Sequence, residues 1–171
     1  MRTVRAIYSP QGGILPFSER FNFELMAKVV EHIKAEPKRF NMFTWLSRGK
    51  PGEIYSLCLD ALSRETGQPL HRWNRLVKST QEFPACGTIG CIAGWTVNLD
   101  DPVAAENLNT VSVPRAAREA LGLTEWESNR LFIPSDWPKK FLLAYRKGGQ
   151  VRKTQVAAAR IKHFIETEGR E

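Results

Sequence analysis

Cysteine is scarce in this sequence. Only three cysteines occur among 171 residues, whereas a small secreted disulfide scaffold normally carries an even and denser set. The count therefore excludes that class and indicates thiols in a reducing compartment. The remaining composition is that of a folded protein, because 42% of the residues are hydrophobic and five are tryptophan, enough to build an apolar core without cross-links.

Long hydrophobic runs are also missing. Glycine and proline punctuate the first 20 residues, so no signal-peptide hydrophobic region is present. The longest uncharged run, residues 83–99, includes a proline and several polar residues, and it falls short of the roughly 20 apolar residues of a membrane span. The sequence predicts a soluble, cytoplasmic protein with no membrane partner.

Acidic residues are in the minority, which leaves a formal net charge of +7 and favours acidic partners such as nucleic acid. The imbalance is greatest over residues 138–163, where eight cations and no carboxylate occur. These cations are Lys139, Lys140, Arg146, Lys147, Arg152, Lys153, Arg160 and Lys162. They are the candidate binding residues, because such a segment can neutralise phosphates. The alternative is a solvated face of two helices with no binding role.

Apolar residues recur at helical spacing along most of the chain, as in residues 22–35 before Pro37. Further helices are predicted over residues 53–65, 69–78, 112–121, 124–132, 136–147 and 154–167. The fold class is therefore mainly α. Residues 1–20 are expected to form an arm, extended or with a short strand, and residues 21–171 a single compact multi-helix domain.

Several residues mark helix ends. Gly122 is a stop signal, and Thr124 with Glu127 forms a capping box. Asp136 is the predicted cap of the next helix. The helices on either side of Gly122 invite a helix-turn-helix interpretation, but Glu125 and Glu127 at the start of the second helix argue against its entry into a DNA groove.

The segment of residues 86–95 combines thiols with small residues. Its distinctive positions are Cys86, Gly87, Thr88, Gly90, Cys91, Gly94 and Trp95. Thr88 is the predicted N-cap of a helix in which small residues let a neighbouring helix approach closely. Each glycine inside a helix costs about 1 kcal/mol relative to alanine, which indicates a steric requirement. We interpret the segment as a tightly packed, Gly/Ala-rich central helix.

Chemical roles compete with that interpretation. Cys58, Cys86 and Cys91 with His71 are the candidates for a zinc site, although no second Cys pair supports one. Cys91 near a helix N-terminus is a candidate nucleophile, and Cys86 with Cys91 is a candidate redox disulfide. We assign no catalytic residue, no metal site and no cofactor.

Four short patterns together resemble a group of small uncharacterised bacterial and bacteriophage proteins. They are Asn41-Met42-x-x-Trp45, the segment of residues 86–95, Ala120-Leu121-Gly122-Leu123 with Leu131-Phe132-x-Pro134, and residues 158–165. The resemblance covers about residues 40–167, and residues 86–95 are its most specific part. It implies a bacterial or phage setting, with a role in replication, defence or counter-defence, and it carries over no catalytic residue.

The sequence therefore predicts a non-enzymatic binding module that engages nucleic acid or a nucleoprotein complex through its basic C-terminal residues. One alternative is a Cys-centred enzyme or zinc-binding protein. Another is a protein-only interaction domain or inhibitor that uses exposed aromatic residues near Trp45 or Trp137.

Overall fold

The first long helix begins directly after a capping residue, Asn22. Asn22 accepts a hydrogen bond from the Leu25 amide at 3.2 Å, which satisfies one of the donors that a helix start leaves open. The helix places the predicted apolar stripe in the core, and it ends one residue before Glu36, ahead of Pro37.

A computed structural model describes residues 6–42, 46–48, 88–108 and 112–171. Within these ranges the chain is mainly helical, which confirms the predicted class. The α-helices are α1 (Phe17–Arg20), α2 (Phe23–Ala35), α3 (Ile92–Asp100), α4 (Pro102–Glu106), α5 (Ser112–Leu121), α6 (Glu125–Phe132), α7 (Lys139–Lys147) and α8 (Gln150–Glu166). Short 3-10 helices cover Pro37–Arg39 and Pro134–Asp136. The predicted helices over residues 53–65 and 69–78 lie outside the described residues.

Two short strands precede the central helix. Strand β1 (Leu46–Arg48) pairs antiparallel with β2 (Thr88–Gly90), and Gly90 also bridges to Phe40. Thr88 therefore lies in a strand, and the prediction that it caps a helix is wrong. Cys91 is the N-cap instead, because the backbone of residues 88–90 is held extended by its partner strand.

Helix α3 is the buried centre of the described fold. Every residue from Ile92 to Val97 is buried, and α3 packs mainly against α5 and α2. Helix α5 contributes the small side chains of Ala116, Ala117 and Ala120 to this core. Small residues on both helices permit the close approach that the sequence indicated.

The turn between α5 and α6 holds the N-terminal segment. Gly122 adopts a left-handed conformation (φ 68°), and Thr124 with Glu127 forms the predicted capping box. The buried Arg20 guanidinium donates to both Glu127 carboxylate oxygens, at 2.7 and 2.5 Å, and to the Gly122 carbonyl at 2.6 Å. The last residues of the predicted arm are thus packed into the helical core.

Helices α7 and α8 close the C-terminal side. The buried Tyr145 hydroxyl on α7 accepts a hydrogen bond from the Met42 amide at 3.0 Å. The Gln150 amide at the start of α8 donates to the carbonyls of Pro37 and Phe40. Both contacts orient the two helices against the segment that follows α2. None of the helices in the described ranges has the length and apolarity needed to cross a lipid bilayer.

Candidate functional site

The outward side of α7 is a basic surface built by helical spacing. Positions separated by three or four residues share one face of a helix, and on α7 these positions are Lys139, Lys140, Leu143, Arg146 and Lys147. All five side chains are exposed. The opposite side of α7 carries Tyr145, which is 1% exposed and anchors the helix. The four cations therefore project from a fixed helix into solvent.

Helix α8 adds one more cation beside this surface. Arg152 is exposed, and its side chain lies against the end of α7, because a β-carbon built on Gly148 would sit 2.9 Å from the Arg152 Cγ. We call Lys139, Lys140, Leu143, Arg146, Lys147 and Arg152 together the basic face. Its five charges come from two helices joined by Gly148 and Gly149.

The charges of the basic face are not neutralised by the described part of the chain. No ion pair links any of its five cations to a described carboxylate. Some other exposed cations are paired within the chain: Lys28 lies 2.7 Å from Glu24, and Arg115 lies 2.9 Å from Glu119. A surface with unbalanced charge concentrates counterions of the opposite sign, so the basic face is suited to an anionic partner.

One of the predicted binding residues, Arg160, is turned away from the solvent. Arg160 is 0% exposed; its guanidinium packs near the Phe141 and Phe164 rings, pairs with the Glu171 carboxylate and donates to the Arg130 carbonyl at 2.8 Å. Arg160 shares the helical stripe of Ala157 and Phe164, which explains its burial. It is therefore not part of an exposed binding surface.

Lys153 is partly buried, and Lys162 is exposed but paired with a carboxylate. The Lys153 ammonium lies 5.6 Å from the centre of the Tyr145 ring, and burial lowers the pKa of Lys153. Lys162 is exposed, but its ammonium lies 3.7 Å from the Glu166 carboxylate one turn further along α8. Lys153 is partly buried and Lys162 has a carboxylate partner, so neither is counted in the basic face.

The Cys91 thiol is interior rather than reactive. Cys91 is 0% exposed, and its sulfur accepts a hydrogen bond from the Gly94 amide at 3.5 Å as the N-cap of α3. Burial raises the pKa of Cys91 to about 12, so the thiol stays protonated at neutral pH. Because the thiolate is the nucleophilic form, this environment does not support a catalytic Cys91.

The other proposed metal ligands cannot be placed with Cys91. Cys58, His71 and Cys86, together with Gly87, lie outside the described residues. Within the described ranges, no group of three or more His, Cys, Asp or Glu side chains is arranged to hold a metal ion. The zinc and disulfide hypotheses therefore remain sequence predictions.

Trp95 lies at the centre of a second cluster, which includes His32. The Trp95 indole donates to the Arg39 carbonyl at 3.2 Å, and its ring lies 4.1 Å from the His32 ring and 4.9 Å from the Arg39 guanidinium. Burial and the charge of Arg39 lower the pKa of His32. A neutral imidazole packed on an indole indicates a structural role.

The aromatic residues proposed for protein contacts are not exposed where the structure describes them. Trp137 is 3% exposed, and its indole donates to the Leu131 carbonyl at 3.0 Å. Trp45 lies outside the described residues. The exposed tryptophan in the described ranges is Trp126, which is 52% exposed with the Arg130 guanidinium 4.3 Å from its ring centre.

Leu143 is a feature of the basic face that the charge pattern alone did not reveal. It is 43% exposed, whereas Tyr145 on the inner side of α7 is 1% exposed. Its position four residues from both Lys139 and Lys147 is the sequence signal that places it among the cations.

No protein-family model, curated protein or solved structure matches this chain, so the resemblance to small bacterial and phage proteins stays a prediction.

Proposed function

We propose that this chain is a non-enzymatic binding module that engages nucleic acid, alone or within a nucleoprotein complex, through the basic face. One observation carries the proposal: five exposed cations converge from α7 and α8 with no described carboxylate paired to them. Clustered Lys and Arg side chains neutralise the phosphates of nucleic acids, and such a cluster is typical of nucleic-acid-binding proteins.

The buried thiol supports the choice of a binding role over a Cys-centred reaction. A Cys91 nucleophile would need a lowered pKa and solvent access, and its surroundings provide the opposite of both. The protein-only alternative loses Trp137 as an exposed anchor. The basic face is the described feature that favours a particular class of partner.

Salt dependence is the first test, because cations that contact phosphates release condensed counterions. The logarithm of the binding constant should fall with the logarithm of salt concentration at a slope of about −0.9 per contact on duplex DNA. Five contacts give a slope of about −4.5, or about a 500-fold loss of affinity between 50 and 200 mM salt. Fluorescence anisotropy with a labelled 20-base-pair duplex measures this slope.

A charge-matched pair of variants locates the contact. Lys140→Gln with Lys147→Gln removes two charges from the basic face and should reduce the magnitude of the slope by about 1.8. Lys28→Gln with Arg115→Gln makes the same change of net charge at exposed cations that already have carboxylate partners. This second double variant is the control, and the salt dependence of its DNA binding should have almost the wild-type slope. Equal effects of the two double variants, or no binding at low salt, would contradict the proposal.

A further inference from the structure

The aromatic side chains of α7 are turned towards the protein. They are Phe141 and Tyr145, and Tyr145 is buried. The Phe141 ring is partly buried, with the Lys140 ammonium 4.9 Å from its centre and the centre of the His163 ring 5.3 Å away. The apolar side chain that α7 presents among its cations is instead the aliphatic Leu143. The basic face therefore offers a partner five cations and one aliphatic group, but no aromatic ring.

The exposed rings among the described residues belong to other elements. Tyr8 lies in the N-terminal arm, Phe23 begins α2, and Trp126 lies on α6. Trp126 has the Arg130 guanidinium 4.3 Å from its ring centre, and its neighbour Glu125 has a side chain that is 82% exposed. A carboxylate at that position repels phosphates, so the surroundings of Trp126 do not favour a nucleic-acid strand laid along its ring.

The lack of a ring affects single strands and duplexes differently. A flexible single strand loses conformational freedom when it is held on a surface. Proteins that bind single strands offset this loss by stacking bases on aromatic side chains, and each stacked base contributes about 5- to 150-fold in affinity. A double helix is already ordered, and it carries one negative charge per about 1.7 Å of its axis, against about 3.4 Å for each of its strands. Cations fixed on a helix therefore gain more from a duplex than from a single strand.

Resting on the proposed function, we infer that the basic face selects double-stranded nucleic acid and discriminates against single strands. The preference has two sources in the face itself. Its five cations, which have no described carboxylate partner, meet a denser array of phosphates on a duplex. Its apolar member, Leu143, cannot stack on an unpaired base in the way that an aromatic ring can.

Two labelled DNA probes of matched sequence test this inference. One is a duplex of about 20 base pairs, and the other is one of its strands, chosen without self-complementarity. At low salt, fluorescence anisotropy should give a dissociation constant at least about tenfold lower for the duplex than for the strand. Five contacts should give a salt slope of about −4.5 on the duplex and no steeper than about −3.5 on the strand, because a single strand releases fewer counterions per contact.

Leu143→Trp adds the missing ring without changing the charge of the basic face. The variant should bind the single strand about tenfold more tightly than wild type, because one base can stack on the new ring, and duplex affinity should change less than about threefold. Val103→Trp is the matched control, because Val103 on α4 is exposed but lies outside the basic face. This control should leave both affinities within about twofold of wild type, since its ring is not placed among the cations that hold the strand.

The outcomes separate this inference from the function on which it rests. A single strand that binds as tightly as the duplex, with binding that still depends on Lys140 and Lys147, overturns the inference and leaves the nucleic-acid function standing. Equal effects of Leu143→Trp and Val103→Trp on single-strand binding also overturn it, because the missing ring would then not set the preference. Absence of binding to either probe at low salt removes both.

Discussion

At the scale of single residues, the pair formed by Arg20 and Glu127 connects the N-terminal segment to α6. Both side chains are under 10% exposed, and removal of one partner would leave a buried charge without compensation. The carboxylate also accepts hydrogen bonds from the backbone and hydroxyl of Thr124, at 2.8 and 2.9 Å. The ion pair and the helix cap therefore form one network.

Glu127→Gln should destabilise the protein in a pH-dependent way. Burial alone would raise the pKa of Glu127, but hydrogen bonds from Arg20 and Thr124 outweigh it and hold the pKa below its usual value. A carboxylate with a lowered pKa contributes stability that is fully present above the unfolded pKa of about 4.3 and is lost as the pH falls through the folded pKa. At pH 7 the variant should lose about 3 kcal/mol.

Urea unfolding of wild type and variant from pH 7 to pH 3 measures this effect. The difference in unfolding free energy should shrink below about pH 4. Glu125→Gln is the control, because Glu125 lies on the same helix but is 82% exposed, and it should change stability by less than about 0.5 kcal/mol. A difference between wild type and Glu127→Gln that stays constant with pH would contradict the explanation.

The capping box was predictable and its arginine partner was not. Thr124 and Glu127 are three residues apart, so their spacing alone predicts the local hydrogen bonds. Arg20 lies 107 residues from Glu127 along the chain. Pairing across that distance depends on tertiary packing, which the spacing of residues in one sequence does not encode. Cys91 gives the same lesson, since its role as a cap depends on the pairing of β2 with β1.

At the scale of elements, α8 begins earlier than its sequence signal. The prediction that Thr154 starts the helix is wrong: α8 begins at Gln150, and the Thr154 hydroxyl donates to the Val151 carbonyl at 2.7 Å. Likewise, the prediction that Asp136 caps the next helix is wrong: Asp136 belongs to a 3-10 helix, and Pro138 is the N-cap of α7. The interiors of these helices are predictable from periodicity, whereas the start of α8 is held by contacts of Gln150 with Pro37 and Phe40, which are distant in the chain.

Gln150→Ala should loosen the start of α8. The Gln150 amide donates to the Pro37 carbonyl at 2.7 Å and also to the Phe40 carbonyl, and loss of the donor leaves two partly buried acceptors without it. The expected cost is about 1–3 kcal/mol of unfolding free energy. Gln155→Ala on the same helix is the control, because Gln155 is exposed and contacts only Arg152 among the described polar partners. Similar losses of stability in both variants would rule out this anchoring role.

At the scale of the whole molecule, the positive charges of the C-terminal helices divide between an exposed surface and the folded interior. The sequence predicted one set of eight binding cations, and helical periodicity correctly places those of α7 on the outer surface. Arg160 belongs to the fold instead, because its partner Glu171 returns from beyond the end of α8 to meet it. Charge counting could not separate these two roles, since it does not report which side of a helix is covered.

Arg160→Gln and Lys162→Gln test that division with the same change of charge. Arg160 has a fully buried guanidinium, and its loss leaves the Glu171 carboxylate with only the His163 imidazole, at 3.1 Å, beside it, so the substitution should cost about 3 kcal/mol of unfolding free energy. Lys162 is 78% exposed, and its substitution should cost less than about 0.5 kcal/mol. Urea unfolding measures both.

The same two variants should bind duplex DNA with almost the same salt slope as wild type, under conditions in which circular dichroism shows each to be folded, because neither residue belongs to the basic face. The Arg160→Gln protein could instead be folded and show a salt slope that is smaller in magnitude by about 0.9, the value of one phosphate contact. That result would place Arg160 at the interface. Recognition and stability would then share that residue, contrary to its burial between the rings of Phe141 and Phe164.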